Sequence, residues 1–537
     1  MKNIILSLFI LSAFLSCKKQ LQADLIIINS KTYTVNSSFE IAESFAIKDG
    51  KFIAVGSSEE LQNIYKAKQV IDAKGNPIYP GFIDGHCHFY GLGLTQQKVD
   101  LVGTKSIEDV LQKLVTFQKE KNSSFITGRG WDQNDWEITE FPTKKKLDTL
   151  FPKTPVAITR VDGHAMLVNQ AAINLASISL ESQVDGGEFI KKDGKLTGVL
   201  IDNAMNFIKT PLPSKKEQIQ ALKDAQKICF DLGLTTVDDA GLDKEVIELI
   251  DSLQNSGDLK MRIYAMISNN KKNLDYYLNK GIVKTDRLHV RSVKVYADGA
   301  LGSRGAALKD EYADKKGHFG AFVNSFDHLQ KLAQRIAHSD YQMNTHAIGD
   351  SANYVMLKTY HEALINKNDR RWRIEHAQLV DLKDFDLFKK VLPSIQPTHA
   401  TSDMYWAEDR VGEKRIQGAY AYNDLLNQYG KVALGTDFPV EKVNPFYTFY
   451  AAAIRKDLKG YPESGFQMNN ALSRENTLKG MTIWNAYGNF EENEKGSIEI
   501  GKVADFIILD QDIMKIDGSK IPSTKVISTY INGEKVK

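Results

Sequence analysis

At 537 residues the chain is long enough for about three domains of ~150 residues or one large α/β barrel with additions. With 42% hydrophobic and 25% charged residues it falls in the globular range, which argues against collagen-like, disordered and multi-spanning membrane classes. Its 69 Lys and Arg against 67 Asp and Glu leave a net charge of +2, too small an excess to condense on a phosphate backbone, so no nucleic-acid partner is expected.

Lys2 precedes an apolar run from Ile4 to Leu15, the length of a signal-peptide core and too short for a membrane-spanning helix. Phe14-Leu15-Ser16-Cys17 ends that run and resembles the lipobox of bacterial lipoproteins. Residues 1–16 are therefore expected to be a lipoprotein signal, Cys17 the lipidated residue and 17–23 a tether, with the protein held at the cell envelope through this anchor only. A plain secretory signal with an incidental cysteine is the alternative. Three cysteines, Cys17, Cys87 and Cys229, are too few for a disulfide framework.

Short β-rich runs follow: Leu25–Ile28, Tyr33–Val35, Phe45–Ile47 and Phe52–Val55, with Asp49-Gly50 as a hairpin turn. The C-terminus has the same texture in Ala504–Leu509 and Val526–Ile531, with Asn532-Gly533 as its turn. Neither end can bury a sheet face alone, so residues 24–76 and 488–537 are expected to combine into one small β-sandwich. Between them, 77–487, apolar strands alternate with helical patterns. Ile78–His88, Leu234–Ala240, Met261–Met266, Val290–Ala297, Gln342–His346, Trp372–His376, Pro393–Gln396 and Val432–Thr436 are the candidate strands of a (β/α)8 TIM barrel. Residues 89–233 are too long for a loop and are expected to form an insertion above the barrel mouth.

His86 and His88 stand at i and i+2 at the end of the first strand, on one face, where two imidazoles can bind one metal ion or be plain polar residues. Alternation puts Lys294, Tyr296 and Asp298 opposite Val293 and Val295. A desolvated Lys294 can become neutral and combine with carbon dioxide as a metal-bridging carbamate, or it can pair with Asp298. His346 and His376 end two further strands, and Asp437 follows the last, as a ligand or as a turn and cap residue. Together these residues lie at the strand ends where barrel enzymes place their chemistry.

The run Pro80-Gly81-Phe82-Ile83-Asp84-Gly85-His86-Cys87-His88, the segments Gly130-Trp131-Asp132, Lys294 to Arg304, Thr345-His346-Ala347-Ile348-Gly349-Asp350, Glu375-His376-Ala377 and Gly435-Thr436-Asp437-Phe438-Pro439 resemble the amidohydrolase superfamily, in particular the YtcJ-like amidohydrolase family 3. The resemblance implies a split β-sandwich, a large insertion after the first barrel strand and two divalent ions, with zinc expected. It implies His86, His88 and Asp437 on the more buried ion, His346 and His376 on the second, and carboxylated Lys294 bridging them. A hydroxide held between the ions would attack a polarised carbonyl, with Asp437 moving the proton to the leaving amine. Non-peptide C–N bonds of small amides or N-substituted formamides are the implied substrates. Trp131, Asp132, His164, Asp239 and Arg304 are candidate substrate contacts; local packing, a hydrogen bond to Asp239 and an Arg304–Asp298 pair are the structural alternatives. The remaining histidines, His399 and His289 among them, read as surface or helix residues. A cyclic-amide hydrolase, a deaminase or a non-catalytic binding lipoprotein are the competing functions.

Overall fold

Runs of β-branched and aliphatic residues, each followed by an amphipathic helix, build eight parallel strands: β1 (Phe82–Cys87), β2 (Leu234–Leu242), β3 (Arg262–Ser268), β4 (Leu288–Tyr296), β5 (Gln342–Ala347), β6 (Arg373–His376), β7 (Leu392–Ile395) and β8 (Ala433–Leu434). A computed structural model describes residues 20–537 except 134–135, 161–162, 164, 185–186, 303 and 368. The expected signal segment, Cys17 and His164 lie outside the described residues.

Neighbouring strands pair in chain order from β1 to β8. Contacts across the remaining seam nearly close the barrel. The Asp437 amide donates to His86 O and the His88 amide to Phe438 O, each at 2.8 Å. Asn485 Nδ2 donates to Ile83 O at 2.6 Å and to Leu434 O at 2.8 Å, so one buried side chain ties β1 to the last strand. Asp84 adds a second tie by accepting from Thr436 N and Oγ1. Outward-facing Val293 and Val295 join the large apolar cluster beneath the surrounding helices.

The expected single strand Ile78–His88 is two strands in different sheets. Pro77–Pro80 pairs with Phe506–Leu509 and with Lys31–Tyr33, and only Phe82–Cys87 enters the barrel. The chain changes sheet at Gly81, where a Cβ would lie 2.3 Å from Thr235 Oγ1, so no larger residue fits.

The chain ends make a four-stranded sheet from the N-terminal segment and a six-stranded sheet to which both ends contribute. Leu25, Phe45 and Phe52 of the first share an apolar cluster with Ile78, Phe506 and Tyr530 of the second. Both hairpin turns take positive φ at each central residue, Asp49 and Gly50 as well as Asn532 and Gly533, the geometry that matches strand twist.

After β1 the chain makes helix Phe89–Thr95 and then a separate six-stranded sheet with an apolar cluster on either side. Ile158 and Ala157, adjacent in one strand, belong to opposite clusters, as period-two alternation requires. Helix Lys215–Asp231, capped by Ser214 and Glu217, instead buries Leu222, Ala225, Cys229 and Phe230 in the barrel's own cluster. Among the described residues no helix is long and apolar enough to cross a membrane.

Candidate metal centre

Strand alternation delivers His86 and His88 from the end of β1, Lys294 from β4, His346 from β5 and Glu375 from β6, while His376, next to Glu375, breaks that alternation with a positive φ, and Asp437 comes from just beyond β8. His86 Nδ1 donates to Glu375 Oε2 at 2.6 Å, inside the barrel where neither side chain meets solvent. His88 Nδ1 donates to Ala240 O at 3.0 Å. A carbonyl can only accept, so His88 carries a proton at Nδ1 and, as a metal-binding neutral ring, would offer Nε2; the Glu375 carboxylate favours the same tautomer for His86. Asp437 Oδ1 then lies 3.3 Å from His88 Nε2 and 3.7 Å from His86 Nε2.

Three lone pairs thus converge, and the three ligand atoms lie within 4.8 Å of one another. Two imidazole nitrogens and a carboxylate oxygen at this spacing are a donor set for a divalent ion, which is the sense in which these residues fit a metal.

Across the mouth, the rings of His346 and His376 are 4.5 Å apart, centroid to centroid. His346 Nε2 and His376 Nδ1 are buried and have no hydrogen-bond partner among the described residues. Lys294, only 1% exposed, places Nζ 2.9 Å from His86 Nε2.

Burial lowers the Lys294 amine below its usual value, opposed by the charges of Glu375 and Asp437. Burial also pushes His346 down to about 3, helped by Lys294, and takes His376 well below the imidazole range, helped by His346. Both rings are therefore neutral, the state in which imidazole binds metal. Burial favours protonated Asp437, but the surrounding histidines, His88 first and then His86, His376 and His399, outweigh it and hold the carboxyl well below its ordinary value. His376 (φ 74°) and Asp437 (φ 61°) both sit in the left-handed region, a local cost of about 1–3 kcal/mol each that the surrounding fold sustains.

The profile of the amidohydrolase family matches residues 69–537. The chain belongs to the amidohydrolase family. It is 32% identical to Protein LONG AFTER FAR-RED 3 of Arabidopsis thaliana, over 96% of this chain and 91% of that one. YtcJ of Bacillus subtilis, whose name assigns it to the amidohydrolases, is 29% identical over 94% of this chain and 97% of its own. N-substituted formamide deformylase of Arthrobacter pascens is 22% identical over 95% and 97%, respectively. The solved structure of a metal-dependent hydrolase from Pyrococcus furiosus superposes with a TM-score of 0.78 at 28% identity, covering 91% of this chain and 100% of that one.

Within this amidohydrolase the substrate-side candidates have definite neighbours. Trp131 is fully buried in the core of the six-stranded unit and its Nε1 donates to Ile158 O, so packing accounts for it. Asp239 accepts the backbone N–H groups of Phe89 and Tyr90 and fixes the start of the helix after β1. Asp132 pairs with Arg160 at 2.5 Å. Arg304 pairs with Asp314 at 2.7 Å instead of with Asp298, which is held by the backbone N–H groups of Ala307, Ile348 and Gly349.

Of the histidines read as surface or helix residues, His289 is instead buried in a strand, while His399 does lie in a helix but faces the site. His289 is buried with Nδ1 3.4 Å from Glu491. His399, in the helix that follows β7, stacks on His376 and brings Nε2 to 3.7 Å from Asp437 Oδ2. A histidine three residues past a candidate strand end was the available signal. Glu375 was visible as a motif residue, but its bond to His86 joins positions 289 apart in sequence.

Proposed function

We propose that this amidohydrolase cleaves non-peptide C–N bonds, of the amide or N-substituted formamide type, with two divalent ions held at the barrel mouth. The observation that carries this reading is the convergence of the His86, His88 and Asp437 lone pairs next to a buried Lys294 and two neutral, unpartnered imidazoles. Nitrogen and oxygen donors of this kind favour zinc. When bound, the metal pair supplies Lewis acidity, which acidifies water and polarises an acyl oxygen.

His86, His88 and Asp437 hold one ion, and His346 and His376 the other. Burial lowers the proton affinity of the Lys294 amine, which in its neutral form would attack the carbon of carbon dioxide, lose a proton and become a carbamate whose oxygens would complete the ligand set. Asp437 takes the proton of the attacking water on its carboxylate and delivers it to the leaving nitrogen. The formamide-cleaving relative supports the bond type, and Lys294 at the centre of the ligand set favours this reaction over a single-metal deamination.

The two end sheets act as one β-sandwich, divided in sequence as 24–76 and 488–537, while 89–233 is the insertion that shapes access to a 77–487 barrel. Cys17 is the lipid attachment point that keeps the enzyme at a bacterial envelope membrane, and Cys17→Ser is expected to release or misprocess it.

Elemental analysis of purified protein, followed by a screen of N-formyl and N-acyl amines, tests the catalytic reading. About two ions per chain and turnover of a small amide are expected. A well-folded preparation that takes up no metal after zinc supplementation overturns it in favour of a binding lipoprotein.

A further inference from the structure

Strand β7 supplies none of the six proposed ligands, yet its end holds the most conspicuous unsatisfied group near the site. Gln396 is 2% exposed, and neither Oε1 nor Nε2 of its amide has a hydrogen-bond partner among the described residues. Leaving both ends of a buried amide unmatched is costly, so a resident or visiting group is needed to satisfy them.

The register says where that amide faces. Glu375 points into the barrel, since it bonds His86, and its registered neighbour on β7 is Ser394. Gln396 lies two residues further on with extended backbone (φ −118°, ψ 94°), so alternation turns it to the same inner face, one step nearer the mouth. It stands between β6, which ends in His376, and β8, which leads to Asp437. The adjoining His399 touches both: its ring stacks on His376 and its Nε2, also unpartnered, approaches Asp437 Oδ2.

The chemistry of an unmatched amide selects its partner. A carboxylate would leave Oε1 facing lone pairs, and an ammonium would leave Nε2 without an acceptor. A neutral group that offers an N–H beside an acceptor matches both.

We propose that Gln396 is a substrate-binding residue whose Oε1 accepts the N–H of the scissile amide, so that the enzyme takes amides and formamides with a free N–H in preference to N,N-disubstituted ones. This rests on the reading of the site as an amide hydrolase. The hydrogen bond orients the leaving nitrogen beside Asp437, the group that protonates it. A buried water in the same place would satisfy Gln396 without selecting among substrates.

The test needs no known substrate. Acetohydroxamic acid and N-methylacetohydroxamic acid both chelate zinc through two oxygens and differ by a methyl group in place of the N–H. Their dissociation constants are measured by calorimetry on zinc-loaded wild type, Gln396→Met and Gln396→Glu. The ratio between the two probes, compared across variants, removes their intrinsic difference in zinc affinity.

Gln396→Met is expected to shift that ratio about tenfold against the N–H probe, the size of one lost buried hydrogen bond, while Gln396→Glu, which keeps an acceptor oxygen, holds the wild-type ratio. Gln396→Ala asks the same question if the Met variant folds poorly. An unchanged ratio in the variants lacking the acceptor overturns the proposal and leaves the metal site standing. Zinc-loaded wild type that binds neither probe overturns the proposal, whereas wild type that takes up no zinc removes the catalytic reading beneath it.

Discussion

The two groups of histidines at the barrel mouth differ in how their rings are held. His86 and His88 each have Nδ1 engaged, by Glu375 and by the carbonyl of Ala240, and turn Nε2 towards Asp437, the His86 Nε2 also meeting Lys294 Nζ. The open nitrogens of the other two, His346 Nε2 and His376 Nδ1, have no partner among the described residues. Fixed tautomers and fixed rings make a preorganised site, because little rotational freedom remains to be lost when an ion arrives. The first group is thus preorganised by Glu375 and Ala240, and Lys294, which touches His86, is placed to link it to the second. Each prediction presses on that asymmetry.

The largest effect is expected at Asp437, which belongs to the preorganised group and also moves the proton. Asp437→Asn keeps the size and one oxygen donor but cannot take up a proton at neutral pH. Turnover should fall by roughly 10²–10⁴-fold with most of the metal retained. Single-turnover assays beside metal analysis of the same sample check this, and a wild-type rate refutes the proton role.

Lys294 separates the groups more directly. Lys294→Ala should lower metal content from about two ions per chain towards one, with activity lost, because His346 and His376 lose their link to the other ligands. Added short carboxylic acids should restore part of both, whereas Lys294→Arg should not, since a permanent cation cannot form a carbamate. Unchanged stoichiometry in the Ala variant would make Lys294 structural.

Glu375 tests whether preorganisation is the cause of tight binding. Glu375→Leu leaves all six proposed ligands in place and removes only the acceptor that orients His86. Affinity of the tighter zinc site, measured by competition with a chelator, should drop about 10–100-fold, with Glu375→Gln falling between. Equal affinity in Leu and wild type would show that His86 is held by packing alone.

These residues also mark what could be read before the structure. His86, His88, Lys294 and His346 stood out because each lies on the inward phase of a strand, and His376 and Asp437 because each follows a strand end, although His376 is out of phase with Glu375 and its positive φ departs from extended geometry. Glu375 carries the inward phase of its strand, but its meaning comes from a partner on β1 that no local pattern names. His399 was missed because it begins a helix, where a histidine reads as surface, and only the short β7 brings that helix over the site. Gly81 hid a change of sheet inside an unbroken apolar run, since both sheets bury both faces there and the pattern does not change. Trp131 drew attention by its motif, and the long-range packing of the six-stranded unit explains it.

The smallest effect concerns the seam that holds the preorganised group together. His86 and His88 come from β1 and Asp437 from beyond β8, so their spacing depends on a junction that His346 and His376, on β5 and β6, do not share. Asn485 spans that junction with two hydrogen bonds to strand carbonyls. Asn485→Leu is nearly the same size but leaves both carbonyls buried and unpaired, which should cost about 1–3 kcal/mol of stability. A lower urea midpoint with an unchanged slope reads this directly. If the seam sets the first site, zinc affinity there should weaken a few-fold while the weaker site keeps its own. Equal weakening of both would mean that the two groups respond as one body, and that the asymmetry in their hydrogen bonding has no energetic consequence.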